Sequence, residues 1–208
     1  MGREPNAERV TWASIKAELK LHWRLLFGLL GVMWLSEIVD TLLGGRLDGL
    51  GIRPRIVDGL VGIPLAPFLH SGFAHLIGNT IPFLVLGWLV LLRETRHFIA
   101  VFVATTLLGG LGVWLLGHSG THIGASGVVF GLLGYLLLVG WLERSIGTIL
   151  LSAFVGLNYG WTLLGVLPLQ RGVSWEGHLF GFLTGGAMAW LLAKRRAAER
   201  RRARSSAR

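Results

Sequence analysis

The chain contains no cysteine among its 208 residues. Disulfides, thiolate nucleophiles and zinc–cysteine centres are thereby excluded, and no compartment follows from it. Charge is almost as scarce. Asp, Glu, Lys and Arg make up 15% of the chain, against 52% hydrophobic residues, with a mean hydropathy of +0.62. Soluble domains carry about a quarter charged residues, so the class is a polytopic membrane protein. No HExxH zinc-protease motif is present. Residues 1–22 are mixed polar and charged and lack the short apolar core and small-residue cleavage site of a secretory signal. Inverted repeats and a polar path through the whole bilayer are also missing, which argues against a small transporter or channel.

What is abundant fits a bilayer. There are 31 glycines and nine tryptophans; glycine is frequent in membrane helices and tryptophan favours their interfaces. The net charge of +9 is concentrated, with eight of the 20 Lys and Arg between Lys194 and Arg208. A basic block directly after the last apolar run reads as a cytoplasmic anchor on anionic membrane lipid, and not as a nucleic-acid site.

The fold class expected is an all-α polytopic membrane protein, a bundle of six transmembrane helices with both termini cytoplasmic. An N-terminal cytoplasmic or interfacial segment (1–24) precedes a six-helix domain (25–193) and a basic tail (194–208). Within the first segment, Val10 to Trp23 has the spacing of an interfacial helix. The spans are expected at about Leu25–Leu43, Phe73–Leu92, Phe98–Leu116, Ser126–Leu142, Gly147–Leu167 and Trp175–Ala193. Residues 44–69 form a Gly/Pro-rich yet apolar loop lying in the interface. With both termini inside, 16 Lys and Arg fall on the inner side (Arg3, Arg9, Lys16, Lys20, Arg24, Arg93, Arg96, Arg144 and the eight of the tail). Four fall outside, Arg46, Arg53, Arg55 and Arg171. The positive-inside rule favours this orientation.

The topology collects the unusual polar residues. The second, fourth and sixth spans all run from outside to inside. His70, His75 and Asn79 then lie at the start of the second, Ser126 at the start of the fourth and His178 near the start of the sixth, all at one outer depth. A lone serine in a membrane helix usually packs and bonds a carbonyl. Ser126, however, opens a helix whose free N–H groups and positive dipole end favour an oxyanion. Gly124 and Gly127 leave room for a substrate backbone. His178 is the candidate base, with a carbonyl-bonded structural histidine as the alternative. Gly127, Gly131 and Gly134 on one helix and Gly177, Gly181 and Gly185 on the other make two small-residue strips. Such strips serve packing and also the close approach a nucleophile–base bond needs. His75 and Asn79, four apart, share a helix face and offer side-chain donors for the oxyanion. His70 braces the loop or lines water access. The alternative for these histidines is a structural polar cluster, or a metal site built from His70, His75 and His178 with Glu176 the only nearby carboxylate. Glu176 faces away from His178, so a Ser–His dyad is expected and not a triad.

GASG at Gly124–Gly127, H-x4-H-x3-N at His70–Asn79 and GHxxGxxxG at Gly177–Gly185 occur in this order on helices of the right direction. In this the sequence resembles the rhomboid intramembrane serine proteases over about Leu25–Ala193. The resemblance implies a helical bundle with a water-filled cavity open to the outer side. It implies Ser126 as nucleophile and His178 as general base, with His75, Asn79 and the Ser126 N–H as oxyanion hole. It implies cleavage of transmembrane protein substrates near their outer ends, at sites with small residues. No cofactor, metal or nucleotide is implied, and about Gly147–Ser174 is implied as the gate to the site. Two departures stand out. Phe130 replaces the family's usual tyrosine four residues after the serine, keeping a ring to stack on His178 without the hydroxyl. The first loop has Arg53-Pro54-Arg55 in place of the common Trp-Arg pair. No separate soluble domain is evident at either end, and the location expected is a bacterial inner or plasma membrane. The alternative function is a catalytically impaired, rhomboid-like scaffold that binds client helices.

Overall fold

A computed structural model describes residues 11–169 and 172–206 of the chain. Arg3, Arg9, Arg171 and Arg208, which enter the charge count above, lie outside the described residues. Among those described, six long helices follow in order: α1 (Trp12–Leu42), α2 (Phe73–Arg93), α3 (Thr95–Leu116), α4 (Ser126–Glu143), α5 (Ile146–Val166) and α6 (Trp175–Ser206). The first five are long and apolar enough to cross a membrane. The sixth has glycine where the others carry large apolar side chains, and its C-terminal half is charged.

Two boundaries differ from the expectation. The interfacial helix and the first span are one helix of 31 residues. It starts at a capping box, in which Thr11 Oγ1 accepts the Ser14 N–H and Ser14 Oγ accepts the Thr11 N–H. No proline follows to break it before Leu42. At 1.5 Å per residue, α1 is about 46 Å long, more than a hydrocarbon core of about 30 Å, so its charged first turns extend beyond the apolar layer. At the other end α6 runs on to Ser206, because the Ala/Arg-rich tail is made of good helix formers.

The core sits between α1, α2, α3 and α4, where Leu26, Met33, Leu76, Phe83, Leu86, Phe98, Val101, Leu132 and Leu136 are buried. α4 is the central helix, and α6 lies directly against it. A Cβ on Gly181 would strike the Gly127 carbonyl, one on Gly185 the Gly131 carbonyl, and one on Gly134 the Phe182 carbonyl. The two helices therefore touch backbone to backbone, which only glycine permits at these positions. α5 packs one face against α4, where Ser152 Oγ donates to the Leu136 carbonyl at 2.6 Å and accepts the Gly140 N–H at 3.0 Å, and it leaves Leu150, Phe154, Leu157, Trp161 and Leu164 exposed. In α3, residues Thr105–Gly109 form a single π turn, and the Thr105 side chain fills the space left by Gly131.

The loop of residues 44–69 is ordered by specific bonds. Ile52 and His122 exchange backbone hydrogen bonds (3.0 and 2.9 Å). Arg55, in the left-handed region at φ 60°, donates from Nη1 to the carbonyls of Gly117 (2.8 Å) and Leu115 (3.3 Å). Arg55 thus satisfies carbonyls left free at the C-terminus of α3, where a cation also suits the helix dipole. Opposite the loop, at the far end of the bundle, Arg93 makes a two-pronged pair with Glu143 (2.9 Å to each oxygen). Arg196 of α6 bonds Glu143 at 3.3 Å and also pairs with Glu94.

Candidate active site

The site lies where α2, α4 and α6 begin. Gly124, at φ +114°, turns the chain into α4, a conformation that L side chains rarely adopt. Space demands glycine as well, since a Cβ there would meet His75 Cε1 and Nε2 at 2.5 and 2.7 Å. The Gly124 N–H donates to the Ala66 carbonyl at 2.8 Å. The next N–H, of Ala125, donates to His70 Nε2 at 3.2 Å. His70 thereby holds the residue before the serine, and burial together with the neighbouring His75 lowers its pKa to about 4. Ser126 follows as the first residue of α4, and no side chain caps that helix end. Its first-turn N–H groups face the site uncapped.

His75 and Asn79 stand beside this turn. His75 Nδ1 accepts from the Ser71 N–H at 3.5 Å and lies 3.3 Å from the Ser71 hydroxyl. An acceptor at Nδ1 places the proton on Nε2, the atom next to Gly124. Asn79 is buried, and its Nδ2 has no hydrogen-bond partner among the described residues. A buried amide donor without a partner is uncommon and costly.

His178 lies on the first turn of α6 and is 9% exposed. Its ring stacks on Phe130, with centroids 4.2 Å apart and planes 5° from parallel. Its Nδ1 is 2.8 Å from the Gly165 carbonyl. A carbonyl only accepts, so Nδ1 carries the proton and Nε2 keeps its lone pair. Glu176 is engaged elsewhere, on His118. Gly177 and Gly127 come close enough that a Cβ on Gly127 would contact the Gly177 carbonyl at 3.4 Å. Ser126 and His178 thus sit on helices in backbone contact, without a hydrogen bond between their side chains in this resting state.

Two cavities flank the pair. A cavity of about 50 Å³ behind Ser126 is lined by Thr105, Thr106, His122 and Ser174 among others. The Thr105 and Thr106 hydroxyls are buried without partners among the described residues, so the space suits a bound water. A cavity of about 350 Å³ on the other side is bounded by Phe130, Trp161, Leu167, Val173 and His178.

Residues 59–195 match the family model for the Rhomboid domain. The chain belongs to the rhomboid family. Among its relatives are an uncharacterized protein of Mycobacterium tuberculosis, 44% identical over 187 residues that cover 84% of this chain and 78% of that one. RHOMBOID-like protein 4 of Arabidopsis thaliana is 32% identical over 70% of this chain and 38% of its own length. A Bacillus subtilis protein, YdcA, provisionally named a rhomboid protease, is 29% identical over 82% of this chain and 88% of its own length. As a rhomboid-family protein the chain is a multi-pass integral membrane protein of an intramembrane protease family.

Of the residues singled out in the sequence, the fold brings Ser126, His75, Asn79, Gly124 and His70 into one cluster. Phe130 and His178 stack, and Gly127, Gly177 and Gly181 line the approach of α6 to α4. His70 and His75 are ring neighbours at 5.1 Å. Gly165 and Ser71 are contributors that sequence reasoning missed. Gly165 acts through its carbonyl, which no side chain announces. Ser71 sits four residues before His75 and could have been found from that spacing.

Proposed function

We propose that this rhomboid-family chain is an intramembrane serine endopeptidase that cleaves transmembrane protein substrates near their outer ends. A Ser126–His178 dyad performs the reaction, and the chain has six crossings with both termini cytoplasmic. The observation that supports this most is the fixed state of His178. Its Nδ1–H is held by Gly165 and its ring plane by Phe130, which leaves Nε2 as an acceptor. A backbone carbonyl does here what a carboxylate does in a triad.

In this reading Ser126 Oγ attacks the scissile carbonyl carbon and its proton passes to His178 Nε2. The negative charge that develops on the carbonyl oxygen is met by the Ser126 N–H, His75 Nε2–H and Asn79 Nδ2–H. The tetrahedral intermediate collapses, the C–N bond breaks, and the leaving amine takes the proton back from His178. Water from the polar cavity beside Thr105 and Thr106 then attacks the acyl-enzyme. His178 accepts one of its protons and returns it to Ser126 Oγ, and the product leaves as a carboxylic acid. The Oγ–Nε2 hydrogen bond tightens when substrate binds, as catalytic bonds often do. The tail from Lys194 onward rests on anionic lipid at the inner face of a bacterial plasma membrane.

The second reading is a scaffold that binds client helices. It is favoured by the missing Ser126–His178 hydrogen bond and by the absence of a hydroxyl on Phe130. The discriminating experiment is cleavage of a transmembrane reporter in liposomes, alongside labelling by a fluorophosphonate. Wild type is expected to cut and to be labelled. Ser126→Ala and His178→Ala are each expected to lose about a thousandfold or more in rate. Silence of wild type in both assays would favour the scaffold. Cleavage that persists in Ser126→Ala would overturn the dyad.

A further inference from the structure

Two histidines and a glutamate meet beside the site, and none of them takes part in the proton transfers proposed above. His118 and His122 lie in the loop between α3 and α4, and Glu176 is the second residue of α6. Their ligating atoms all lie within 4.8 Å of one another. The His118 N–H (2.9 Å) and His118 Nδ1 (2.7 Å) both bond the same oxygen, Glu176 Oε1. The other oxygen, Oε2, is buried and has no partner among the described residues, on a residue only 3% exposed. His122 Nε2 is 3.0 Å from the His118 carbonyl, which only accepts, so Nε2 carries the proton. Its Nδ1 lone pair is filled by the Ser174 hydroxyl at 2.6 Å.

We propose that His118, His122 and Glu176 form a zinc site joining the loop that leads to Ser126 to the first turn of α6 that carries His178. Two imidazoles and one carboxylate are a donor set zinc takes readily, with a water in the fourth position. Ligand bonds of about 2.0–2.2 Å put tetrahedral ligand atoms roughly 3.4 Å apart. The three side chains therefore need to close by little more than an ångström. Glu176 Oε2 is buried and has a lone pair to give, without a partner among the described residues. The His122 Nδ1 lone pair becomes available when the Ser174 hydroxyl turns away, and that oxygen also accepts the Gly177 N–H at 3.2 Å. The His118 carbonyl then orients the His122 ring from the far side, as outer-shell acceptors do for metal-bound imidazoles. His118 is half exposed and gives the ion a way in. His122 is four residues before Ser126 and Glu176 two before His178, so the ion ties together the segments that bear nucleophile and base. The site was not foreseen in the sequence. His118-x3-His122 lies in a loop without helical spacing cues, and Glu176 is more than fifty residues away.

The test is a titration of the full chain, purified in detergent, with Co2+ followed by Zn2+ competition against a chromophoric chelator. One equivalent of metal is expected, with the intense visible bands of tetrahedral Co2+ that Zn2+ abolishes. Glu176→Gln and His118→Ala are expected to lose the bands and the equivalent. His118→Ala keeps the backbone N–H that bonds Glu176, and a thermal melt of the same preparation shows that it is folded, so a loss of metal in that variant reports the ligand and not the fold. Ser126→Ala is expected to bind as wild type, which separates this proposal from the protease reading. Wild type that takes up no metal at micromolar concentrations, or metal that survives His118→Ala unchanged, overturns it.

Discussion

Asn79 and His70 illustrate how single residues are held in states that cost stability in the resting protein. The Nδ2 of Asn79 is buried without a partner among the described residues, so removing it breaks no hydrogen bond between them. In Asn79→Ala the melting temperature is expected to stay within a few degrees of wild type or to rise. The cleavage rate is expected to fall by about a hundredfold, the usual effect of losing one oxyanion donor. Thermal melts and reporter kinetics on one preparation check both halves, and a large drop in melting temperature would return Asn79 to a structural role. His70 is held neutral for a different reason, since its Nε2 must accept the Ala125 N–H. Burial lowers its pKa from 6.5 to about 4. The unfolded chain therefore binds a proton on this residue between those values and the folded chain does not, so stability rises with pH across that window. The contribution is complete above pH 6.5 and is lost as pH falls toward 4, by about 3 kcal/mol for a shift of this size. Melts from pH 7.5 to 4.5 are expected to fall more steeply for wild type than for His70→Gln. Parallel slopes would remove His70 from the acid response.

The helix pair α4 and α6 decides the geometry of the site, and its contact is made of backbone. Because the Gly131 carbonyl stands where a Gly185 Cβ would be, even alanine has to push the helices apart. Gly185→Ala is expected to cost about 1–3 kcal/mol and to slow fluorophosphonate labelling of Ser126. The control is Gly147→Ala near the start of α5, where nothing lies within 4 Å of the added carbon and the change is neutral or slightly stabilising. Equal effects of the two would show that α4–α6 contact does not position the dyad. The glycine strips were legible in the sequence because a four-residue repeat of glycine on an apolar helix has few other physical uses. So was the clustering of His70, His75 and Asn79 around the turn at Gly124, through spaced motifs. The continuity of α1 was not, because Lys16, Glu18 and Lys20 read as an interfacial segment until the uninterrupted helix is seen. Nor was the order in residues 44–69. It comes from Arg55 reaching the end of α3 and from Ile52 bridging to His122, pairings of residues about 60 and 70 positions apart that no local pattern encodes.

For the whole molecule, the six crossings proposed above require α6 to span the bilayer as well as the five helices that qualify by length and apolarity. The proposed sixth crossing rests on the position of α6. α6 runs alongside α4, with Gly181 on Gly127, Gly185 on Gly131 and Gly186 on Leu138. It then reaches the far end, where Arg196 bonds Glu143 and Glu94. Arg93 and Arg144 lie at that same end, opposite loop 44–69, the end that the proposed orientation makes cytoplasmic. The absence of cysteine makes the chain ready for single-cysteine mapping. Gly49, exposed with open space around it, sits in loop 44–69, and Ser205 is exposed near the end of α6. With six crossings these positions face opposite sides, and with five they face the same side. Gly49→Cys in intact cells is expected to react with a membrane-impermeant maleimide, and Ser205→Cys only after the membrane is opened. Labelling of both from outside would leave α6 on the membrane surface. His178 would then have no fixed depth from which to meet Ser126.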